Sequence, residues 1–584
     1  MIRKLAGAIR QYKKDTILTP IFMLGEVVME VVIPLLMADL IDKGINGNNG
    51  AGDMNYILWM GLALVLSAVI SLAFGALSGR HAARASAGYA ANLRKDMYYR
   101  VQTFSFANID KFSASSIVTR LTTDVTNVQN AFQMLIRTAV RGPLMLVFAL
   151  VMAFRMNGSL SWVFLATIPI LGLGLIFIAK FAFPIFGRMM KKYDRLNTVV
   201  EENLRGIRVV KAFVREDHET EKFTDASAGI KADSSKAEKI LAFNGPLMQF
   251  CMYGTILIIS WFGAQMIVGG DMTTGQLMSL ISYAGQILMS LMMLSMIFVM
   301  MTMSQASMKR IVEILDEESD ITDGKENLKE LADGSVKFED VEFAYQKDGN
   351  AVLTNIDLDF KSGQTIGILG GTGAGKSSLV QLIPRLYDVR KGRVLVGGRD
   401  VKEYNLEALR DGVAMVLQKN VLFSGTIKDN LRWGNENATD EEIIHACKLA
   451  AADDFIREFP EGYDTRIDQG GANVSGGQKQ RLCIARALLK QPKILILDDS
   501  TSAVDTHTDA MIRQAFKEEI PGTTKIIIAQ RVASVQDADQ IVVIDGGKVV
   551  DVGDHDTLMK TSEIYREVYE SQQKGDSEEK GGAA

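Results

Sequence analysis

Cysteine is scarce in this sequence, with three residues among 584. So few thiols cannot cross-link a chain of this length, which excludes a small secreted domain held together by disulfides. An excess of positive charge is also missing: the formal net charge is -5, which argues against a nucleic-acid-binding protein. Polar residues do not dominate, because 48% of the residues are hydrophobic, and this excludes general disorder. At about 100–200 residues per domain, the length predicts several domains.

Long apolar runs lie almost entirely within residues 1–310. A helix needs about 20 mostly apolar residues to cross the hydrocarbon core of a bilayer. The sequence therefore predicts an α-helical membrane domain with six transmembrane helices. They are expected near residues 17–41, 56–79, 136–156, 158–184, 243–269 and 273–303.

The segments that connect these runs differ in length and charge. Segments 80–135 and 185–242 are long and rich in Arg and Lys, and the N-terminus is also basic. Basic flanks stay in the cytoplasm, so we expect the N-terminus and the C-terminal half on the cytoplasmic side of a multi-pass plasma-membrane protein. Structureless connections of this length are uncommon. Both segments are therefore predicted to be cytosolic helical hairpins that reach a soluble domain.

Two features of the apolar half indicate a candidate cargo site. Glu26 and Glu30 lie four residues apart, so they share one face of the first helix. Because a charge at bilayer depth is costly, they are predicted to attract cationic cargo, or else to form a structural pair that is hydrogen-bonded to neighbouring helices or lies near the interface. The sixth helix is rich in methionine, including Met289, Met293 and Met296. Such a surface is typical of adaptable binding sites, or of ordinary packing.

A phosphate-binding loop opens the soluble half of the chain. The strand-like run 364–369 enters the segment GGTGAGKS, which has the spacing GxxxxGK[ST] and precedes an apolar helix. Glycines in such a loop let backbone N–H groups turn toward phosphate oxygens, and the helix N-terminus adds a favourable dipole. Lys376 is predicted to reach the β- and γ-phosphates, and Ser377 to bind Mg²⁺. The predicted ATP-binding residues of the loop are Gly370, Gly371, Thr372, Gly373, Ala374, Gly375, Lys376, Ser377 and Ser378.

Two further motifs follow this loop. Residues 493–497 form a continuous apolar strand that ends at Asp498, which suits delivery of a carboxylate to Mg²⁺. Residues 475–478, Ser-Gly-Gly-Gln, open a helix and predict a second backbone nest for an anion. Two nests are hard to explain with a single nucleotide pocket, unless one of them serves a nucleotide held mainly by another copy.

Together with the six membrane helices, these motifs resemble a half-size ABC exporter over nearly all of residues 1–570. The resemblance implies a helical membrane domain fused to an α/β P-loop ATPase domain, with ATP and Mg²⁺ as cofactors. It also implies head-to-tail ATPase dimers, in which each ATP lies between one P-loop and the opposing signature motif. By resemblance, Tyr345 stacks on adenine, Gln418 of the Q-loop senses Mg²⁺, and Asp505 belongs to the D-loop, which spans 502–505. The signature residues are Ser475, Gly476, Gly477 and Gln478.

Two catalytic positions depart from the family pattern. The residue after the Walker B aspartate is usually Glu, which polarises the attacking water, but here it is Asp499. The switch histidine is replaced by Gln530. Aspartate is one methylene shorter than glutamate, which withdraws its carboxylate by about 1.5 Å. Losing a positioned base typically costs about 10²–10⁴-fold in rate, and glutamine cannot carry an imidazolium charge. We therefore expect a pocket that binds MgATP and hydrolyses it slowly.

The resemblance and its departures predict a particular subunit. The signature, intact apart from Val474, would serve a second, catalytically competent half-transporter, so we expect the degenerate-site subunit of a bacterial heterodimeric multidrug-type ABC exporter. Membrane lipid and amphipathic or hydrophobic small molecules are the expected further partners, and nucleic acid is not expected. The alternatives are a lipid or peptide exporter, a homodimer in which Asp499 is a slower base, and an ATP-gated regulator or channel.

The same patterns set the expected domain boundaries. Residues 1–315 are predicted to form the transmembrane domain, 316–335 a linker, and 336–572 the nucleotide-binding domain. The polar composition of residues 573–584 predicts a disordered, solvated tail.

Overall fold

The chain folds into two compact units. The computed structural model describes residues 1–47, 52–324, 326–346, 349–499 and 504–581. The first unit contains Met1–Gln102 and Ala114–Glu317, and the second contains Thr103–Ser113 together with the chain from Glu318 onward.

The first unit is helical throughout its described residues. Long helices form because their apolar residues recur over many turns, and the helices continue through the prolines that α2, α7 and α8 contain. The helices of the N-terminal part of the chain, with α4 belonging to the second unit, are α1 Ile2–Gly7, α2 Lys13–Asp39, α3 Met54–Gln102, α4 Phe106–Phe112, α5 Ala114–Thr119, α6 Val125–Ile136, α7 Thr138–Met156, α8 Gly158–Arg205, α9 Ile207–Ala212, α10 Glu216–Leu241, α11 Asn244–Gly269 and α12 Thr274–Asp316.

Six of the helical segments are long and apolar enough to span a membrane, among the residues that the structure describes. This finding confirms the prediction of six transmembrane helices. The spanning candidates run well beyond the predicted apolar cores, which also confirms that the membrane helices extend into the connecting segments. Their bounds are Arg10–Ile45, Met54–Gln102, Ala114–Met156, Gly158–Arg205, Glu216–Gly269 and Thr274–Asp316.

A proline inside α2 is accommodated by a neighbouring helix. Pro34 has no N–H, so the carbonyl of Glu30 loses its helical donor. Gln286 of α12 donates to that carbonyl over 3.4 Å, and the hydroxyl of Tyr283, one turn away on α12, donates to the carbonyl of Val31 over 2.9 Å. In a membrane helix a freed backbone group must find such a partner inside the protein. These bonds therefore hold α2 against α12.

The second unit is built on three sheets. The four-stranded sheet has the order β2-β1-β4-β5 and is antiparallel, the six-stranded sheet has the order β12-β11-β3-β10-β9-β6, and β7 pairs with β8. The strands are β1 Val336–Phe343, β2 Leu353–Phe360, β3 Thr365–Leu369, β4 Lys391–Val396, β5 Arg399–Asp400, β6 Val413–Val416, β7 Gly425–Thr426, β8 Arg466–Ile467, β9 Ile494–Asp498, β10 Thr524–Ile528, β11 Gln540–Asp545 and β12 Lys548–Gly553.

The six-stranded sheet brings the phosphate motifs to one edge. Strands β3, β10, β9 and β6 run parallel, and β11 runs parallel to β3, so their carboxyl ends meet on the same side. Residues of β9 and β10 are fully buried, as expected for a parallel sheet covered by helices on both faces. In the register, Ile528 of β10 pairs with Ile368 of β3 on one side and with Asp498 of β9 on the other. The P-loop therefore begins at the same edge as the end of β9, with β10 between β3 and β9.

Helices cover the sheets of the second unit. The last helix continues to Gly581, so the predicted disordered tail of 573–584 overlaps the end of a helix, and residues 582–584 lie outside the described residues. The helices of this part of the chain are α13 Lys376–Gln381, α14 Leu406–Gly412, α15 Ile427–Leu431, α16 Asp440–Leu449, α17 Asp453–Glu458, α18 Gly476–Leu489, α19 Thr506–Glu519, α20 His555–Thr561 and α21 Glu563–Gly581.

The short helix α4 departs from the expected domain division. The sequence assigns residues 103–113 to the transmembrane domain, but they cluster with the second unit. Ala107 packs against the core formed by the antiparallel sheet and α13, and Asn108 donates to the carbonyl of Glu318 over 3.2 Å. Residues 103–113 of the first predicted hairpin thus belong to the second unit, and the role of the two hairpins stays a prediction.

Candidate functional site

The P-loop joins β3 to α13 and has the shape of a phosphate cradle. Gly370, Gly373 and Gly375 have φ angles of 157°, 83° and 96°. A Cβ on Gly370 would lie 2.1 Å from the carbonyl oxygen of Ile544, so only glycine fits there. Nothing lies within 4 Å of a Cβ built on Gly373, so that part of the loop is open. The loop leaves room for an anion above its backbone N–H groups, as the motif predicts.

Lys376 lies over this loop. Its ammonium donates to the carbonyls of Gly370 and Gly371, each over 2.8 Å. Burial lowers the pKa of Lys376, and the nearby carboxylates of Asp499 and Asp498 act in the opposite direction. The two carboxylates thus favour the charged form of Lys376, which is the form that binds a phosphate group.

Ser377 and Asp498 meet at the end of β9. The hydroxyl of Ser377 donates to Asp498 over 2.9 Å, and Asp498 is 3% exposed. Burial raises the pKa of Asp498, the bond from Ser377 opposes this, and the charge of Asp499 adds to the rise. Two converging oxygen ligands beside a phosphate cradle suit Mg²⁺, which prefers few protein oxygens together with substrate phosphates. The residues present therefore fit a bound MgATP.

The side chains of Asp499 and Gln530, the two residues that depart from the family pattern, are hydrogen-bonded to each other. The side-chain amide of Gln530 donates to the carboxylate of Asp499 over 2.8 Å. Asp499 has a φ of 49°, and its N–H donates to the carbonyl of Ile528 over 3.1 Å. The carbonyl of Gln530 in turn accepts from Gln572 of α21 over 2.8 Å. The carboxylate in the general-base position is thus held by a neutral amide.

The signature motif forms a regular helix start. Ser475 is the N-cap of α18: its hydroxyl accepts from the N–H of Gln478 over 3.2 Å, and its own N–H donates to the Gln478 side chain over 3.0 Å. Ser475 and Gly476 are exposed, while Gly477 and Gln478 are half-buried. A capped helix N-terminus with exposed backbone donors is a suitable anion-binding surface.

The remaining predicted site residues lie in loops and at helix starts. Tyr345 is 43% exposed, and its hydroxyl shares a hydrogen bond of 2.8 Å with that of Ser378. Gln418 is exposed in the loop after β6. Asp505 caps α19 by accepting from the N–H of Thr508 over 3.0 Å, and this bond lowers the pKa of Asp505. The other D-loop residues, 502 and 503, lie outside the described residues.

The candidate cargo residues of the first helix bind a cation from their own chain. Arg141 of α7 pairs with Glu26 and makes two bonds of 2.8 Å to Glu30. This pairing is the structural alternative considered for these acids, because it satisfies charges that could not be left isolated at bilayer depth. Two carboxylates and one guanidinium keep a net charge of minus one. The sequence analysis missed Arg141, although it is one of few basic residues in the third apolar run.

The candidate methionines differ in exposure. Met289 and Met296 are exposed in the first unit, at 60% and 63%, while Met293 is half-buried. Their role in binding cargo stays a prediction.

Fold and site together define a class: a multi-pass membrane protein with a P-loop ATPase unit. Residues 16–291 match the family model of the ABC transporter transmembrane region, and residues 353–502 match the family model named ABC transporter. It is similar to the uncharacterized ABC transporter ATP-binding protein YfiB of Bacillus subtilis, with 37% identity over 98% of both chains. It is also similar to the protein Rv1273c of Mycobacterium tuberculosis, with 35% identity over 98% of both.

The fold has a close counterpart among solved structures. A structure of a bacterial Atm1-family ABC exporter with ATP bound matches with a TM-score of 0.83 at 24% identity, covering 96% of this chain and 99% of that chain. The chain therefore belongs to the ABC transporter family and has the fold of an exporter half-transporter.

Proposed function

We propose that this chain is the degenerate-site subunit of a heterodimeric ABC exporter that moves amphipathic or hydrophobic compounds across the plasma membrane. The observation that carries the proposal is the 2.8 Å hydrogen bond between Gln530 and Asp499. It supports the proposal because its two partners, a neutral amide and a shortened carboxylate, stand at the positions that by resemblance hold a histidine and a glutamate in the family. The signature of the same unit keeps its serine, both glycines and its helix cap.

The pocket's own residues support firm binding and slow hydrolysis. Lys376, Ser377 and Asp498 keep the positions that hold phosphate and Mg²⁺. MgATP, when bound, supplies the phosphoanhydride whose cleavage resets the transporter. Asp499 is withdrawn by about one C–C bond and is engaged by Gln530, so it is poorly placed to orient a water. A misplacement of about 1 Å costs roughly 100-fold in rate.

The signature supports a role at a second chain's pocket. Ser475 is exposed at the N-terminus of a 14-residue helix, where its hydroxyl and the following N–H groups can face an approaching phosphate. Each such donor is worth most where charge develops during the reaction. In a heterodimer whose other half carries Glu and His, these donors complete the competent site.

Exposed apolar surfaces support assembly with a second half-transporter. Phe213 and Val214, just after α9, are 73% and 80% exposed. The second unit has a groove of about 330 Å³ lined by apolar and basic residues. In it the rings of Phe423 and Trp433 stack 4.2 Å apart, and both are exposed. Apolar surfaces of this kind mark interaction sites, and we assign them to contacts with the second half-transporter.

The cargo class is proposed from the membrane helices. Exposed methionines on α12 give a soft, adaptable apolar surface. The cluster of Glu26, Glu30 and Arg141 keeps one net negative charge. Together they favour compounds with an apolar body and at most one positive charge.

The test compares the purified chain alone with its complex. ATPase activity is measured in lipid nanodiscs for the lone chain and for the complex with a half-transporter that carries Glu and His at the two altered positions. We expect the complex to be at least about 100-fold faster. Brisk hydrolysis by the lone chain, at the rate of the complex, would support the homodimer instead. Uptake of a fluorescent amphipathic dye into inverted vesicles then tests export.

A further inference from the structure

The helix α4 lies against an aromatic cluster that includes the adenine-stacking candidate. The hydroxyl of Tyr387 donates to the carboxylate of Asp110 on α4 over 2.7 Å. The ring of Phe106, at the start of α4, meets the ring of Tyr387 edge-on with centroids 6.0 Å apart. All of these residues belong to the second unit. Tyr387 is thus a fixed point of contact for this helix.

Tyr387 also touches the candidate adenine platform. Its ring packs edge-on against Tyr345, with centroids 5.1 Å apart at 89°. Phe343 completes the cluster at 5.6 Å from Tyr387 and 4.9 Å from Tyr345. Edge-to-face pairs at these separations are attractive and fix the relative tilt of the rings. The orientation of Tyr345 therefore depends on where Tyr387 is held.

The other end of Tyr345 reaches the P-loop helix. Its hydroxyl shares a 2.8 Å hydrogen bond with Ser378, which is 6% exposed. A continuous set of contacts thus runs from Ser378 in α13, through the rings of Tyr345 and Tyr387, to Asp110 in α4. Tyr387 is 9% exposed, and burial, followed by the bond to Asp110, raises its pKa. Its hydroxyl stays protonated at neutral pH and remains the donor.

We propose that Tyr387 is a positioning residue that couples two events. One is the stacking of adenine on Tyr345, and the other is the packing of α4 on the ATPase unit. This inference rests on the proposed role of Tyr345 in stacking on adenine. A base that stacks on Tyr345 fixes the tilt of that ring, and the ring transmits the constraint to Tyr387. Through its hydroxyl, Tyr387 passes this constraint on ring orientation to Asp110. Along the chain, α4 lies between α3 and α5. Because coupling between two sites is reciprocal, a change at Asp110 alters nucleotide affinity as well.

The other anchors of α4 make the proposal testable without unfolding the helix. Ala107 packs on the core, and Asn108 bonds to Glu318. Tyr387→Phe keeps the ring and removes only the bond to Asp110. Tyr404→Phe is the matched control: Tyr404 is also a buried tyrosine of the same unit, and its hydroxyl donates to the carbonyl of Val396 over 2.8 Å.

The first experiment measures equilibrium binding of MgATP and of magnesium tripolyphosphate to the full chain in nanodiscs. Tripolyphosphate binds the P-loop without touching the adenine platform. We expect Tyr387→Phe and Asp110→Ala each to weaken MgATP binding about fivefold, the lower end of typical coupling. Tyr387→Phe and Asp110→Ala should leave tripolyphosphate binding unchanged. Tyr404→Phe should leave the binding of both ligands unchanged. The double variant should be no weaker than either single one.

The second experiment follows amide hydrogen exchange of residues 106–112. MgATP should slow exchange in the native chain, and tripolyphosphate should not. Tyr387→Phe should remove the MgATP effect. The inference is overturned if both variants bind MgATP normally while Tyr345→Ala weakens it. If Tyr345→Ala also leaves MgATP binding unchanged, the adenine role fails and the inference fails with it.

Discussion

The nucleotide pocket and the signature motif lie in the same unit but depart from the family pattern to different degrees. Lys376, Ser377 and Asp498 match the family pattern, whereas Asp499 and Gln530 stand where the family usually has glutamate and histidine. The signature keeps a complete helix cap at Ser475. Under the proposed function, binding and hydrolysis are separable, because they depend on different residues at the edge of one sheet.

The largest expected effect concerns the signature. Ser475→Ala in the heterodimeric complex should lower steady-state phosphate release by about 10²–10³-fold, because a donor to the developing charge is lost. Thr439→Ala is the matched control, since Thr439 caps α16 with the same pair of bonds. It should lower thermal stability and leave hydrolysis nearly unchanged. Equal loss of activity in both variants would reduce the signature's role to helix capping.

The next largest effect is a gain of function in the pocket. Asp499→Glu combined with Gln530→His in the lone chain should raise phosphate release by about 100-fold, because it restores the reach of the base and the imidazole. Asp499→Asn should change the activity of the complex by no more than a few fold. A double variant that remains as slow as the native chain would mean that other residues limit hydrolysis.

A smaller effect separates binding from turnover. Lys376→Ala should weaken retention of MgATP in this chain's pocket by about 10–100-fold, the value of one charged hydrogen bond. Hydrolysis by the complex should fall only severalfold, since the partner's P-loop is intact. The control is Lys548→Ala, an exposed lysine at the start of β12. Filter binding and phosphate release measure the two quantities.

The smallest effect is a shift in pH dependence. In the proposed site Asp498 would bind Mg²⁺ as a carboxylate. Burial raises the pKa of Asp498, so protons should compete with Mg²⁺ as the pH falls toward that raised value. The Mg²⁺ concentration needed for half-maximal ATP binding should therefore rise at low pH. Asp499→Asn removes a charge that raises this pKa, so the onset should move to lower pH. An unchanged onset would contradict the electrostatic link between the two aspartates.

Local motifs predict which residues meet at the pocket, because each motif lies within one short segment of the chain. Lys376 and Ser377 follow a strand and begin a helix, and Asp498 ends a buried strand, so their meeting follows from parallel topology. The bond between Asp499 and Gln530 joins two loops at the same edge, which only the register of β9 and β10 brings together.

Contacts between distant segments were not predictable from the sequence. Arg141 lies 111 residues beyond Glu30, and no local pattern pairs them. The hydroxyl of Tyr387 bonds to Asp110 of α4, which lies 277 residues earlier in the chain. Both pairings arise from tertiary packing, which periodicity and motif spacing do not encode.

The state of the nucleotide on each chain tests the division of labour most directly. The complex is allowed to turn over radiolabelled azido-ATP with Mg²⁺, is cross-linked by light, and its two chains are separated before the bound nucleotide is analysed. The account predicts triphosphate on this chain and diphosphate on its partner. Diphosphate in equal amounts on both chains would contradict it.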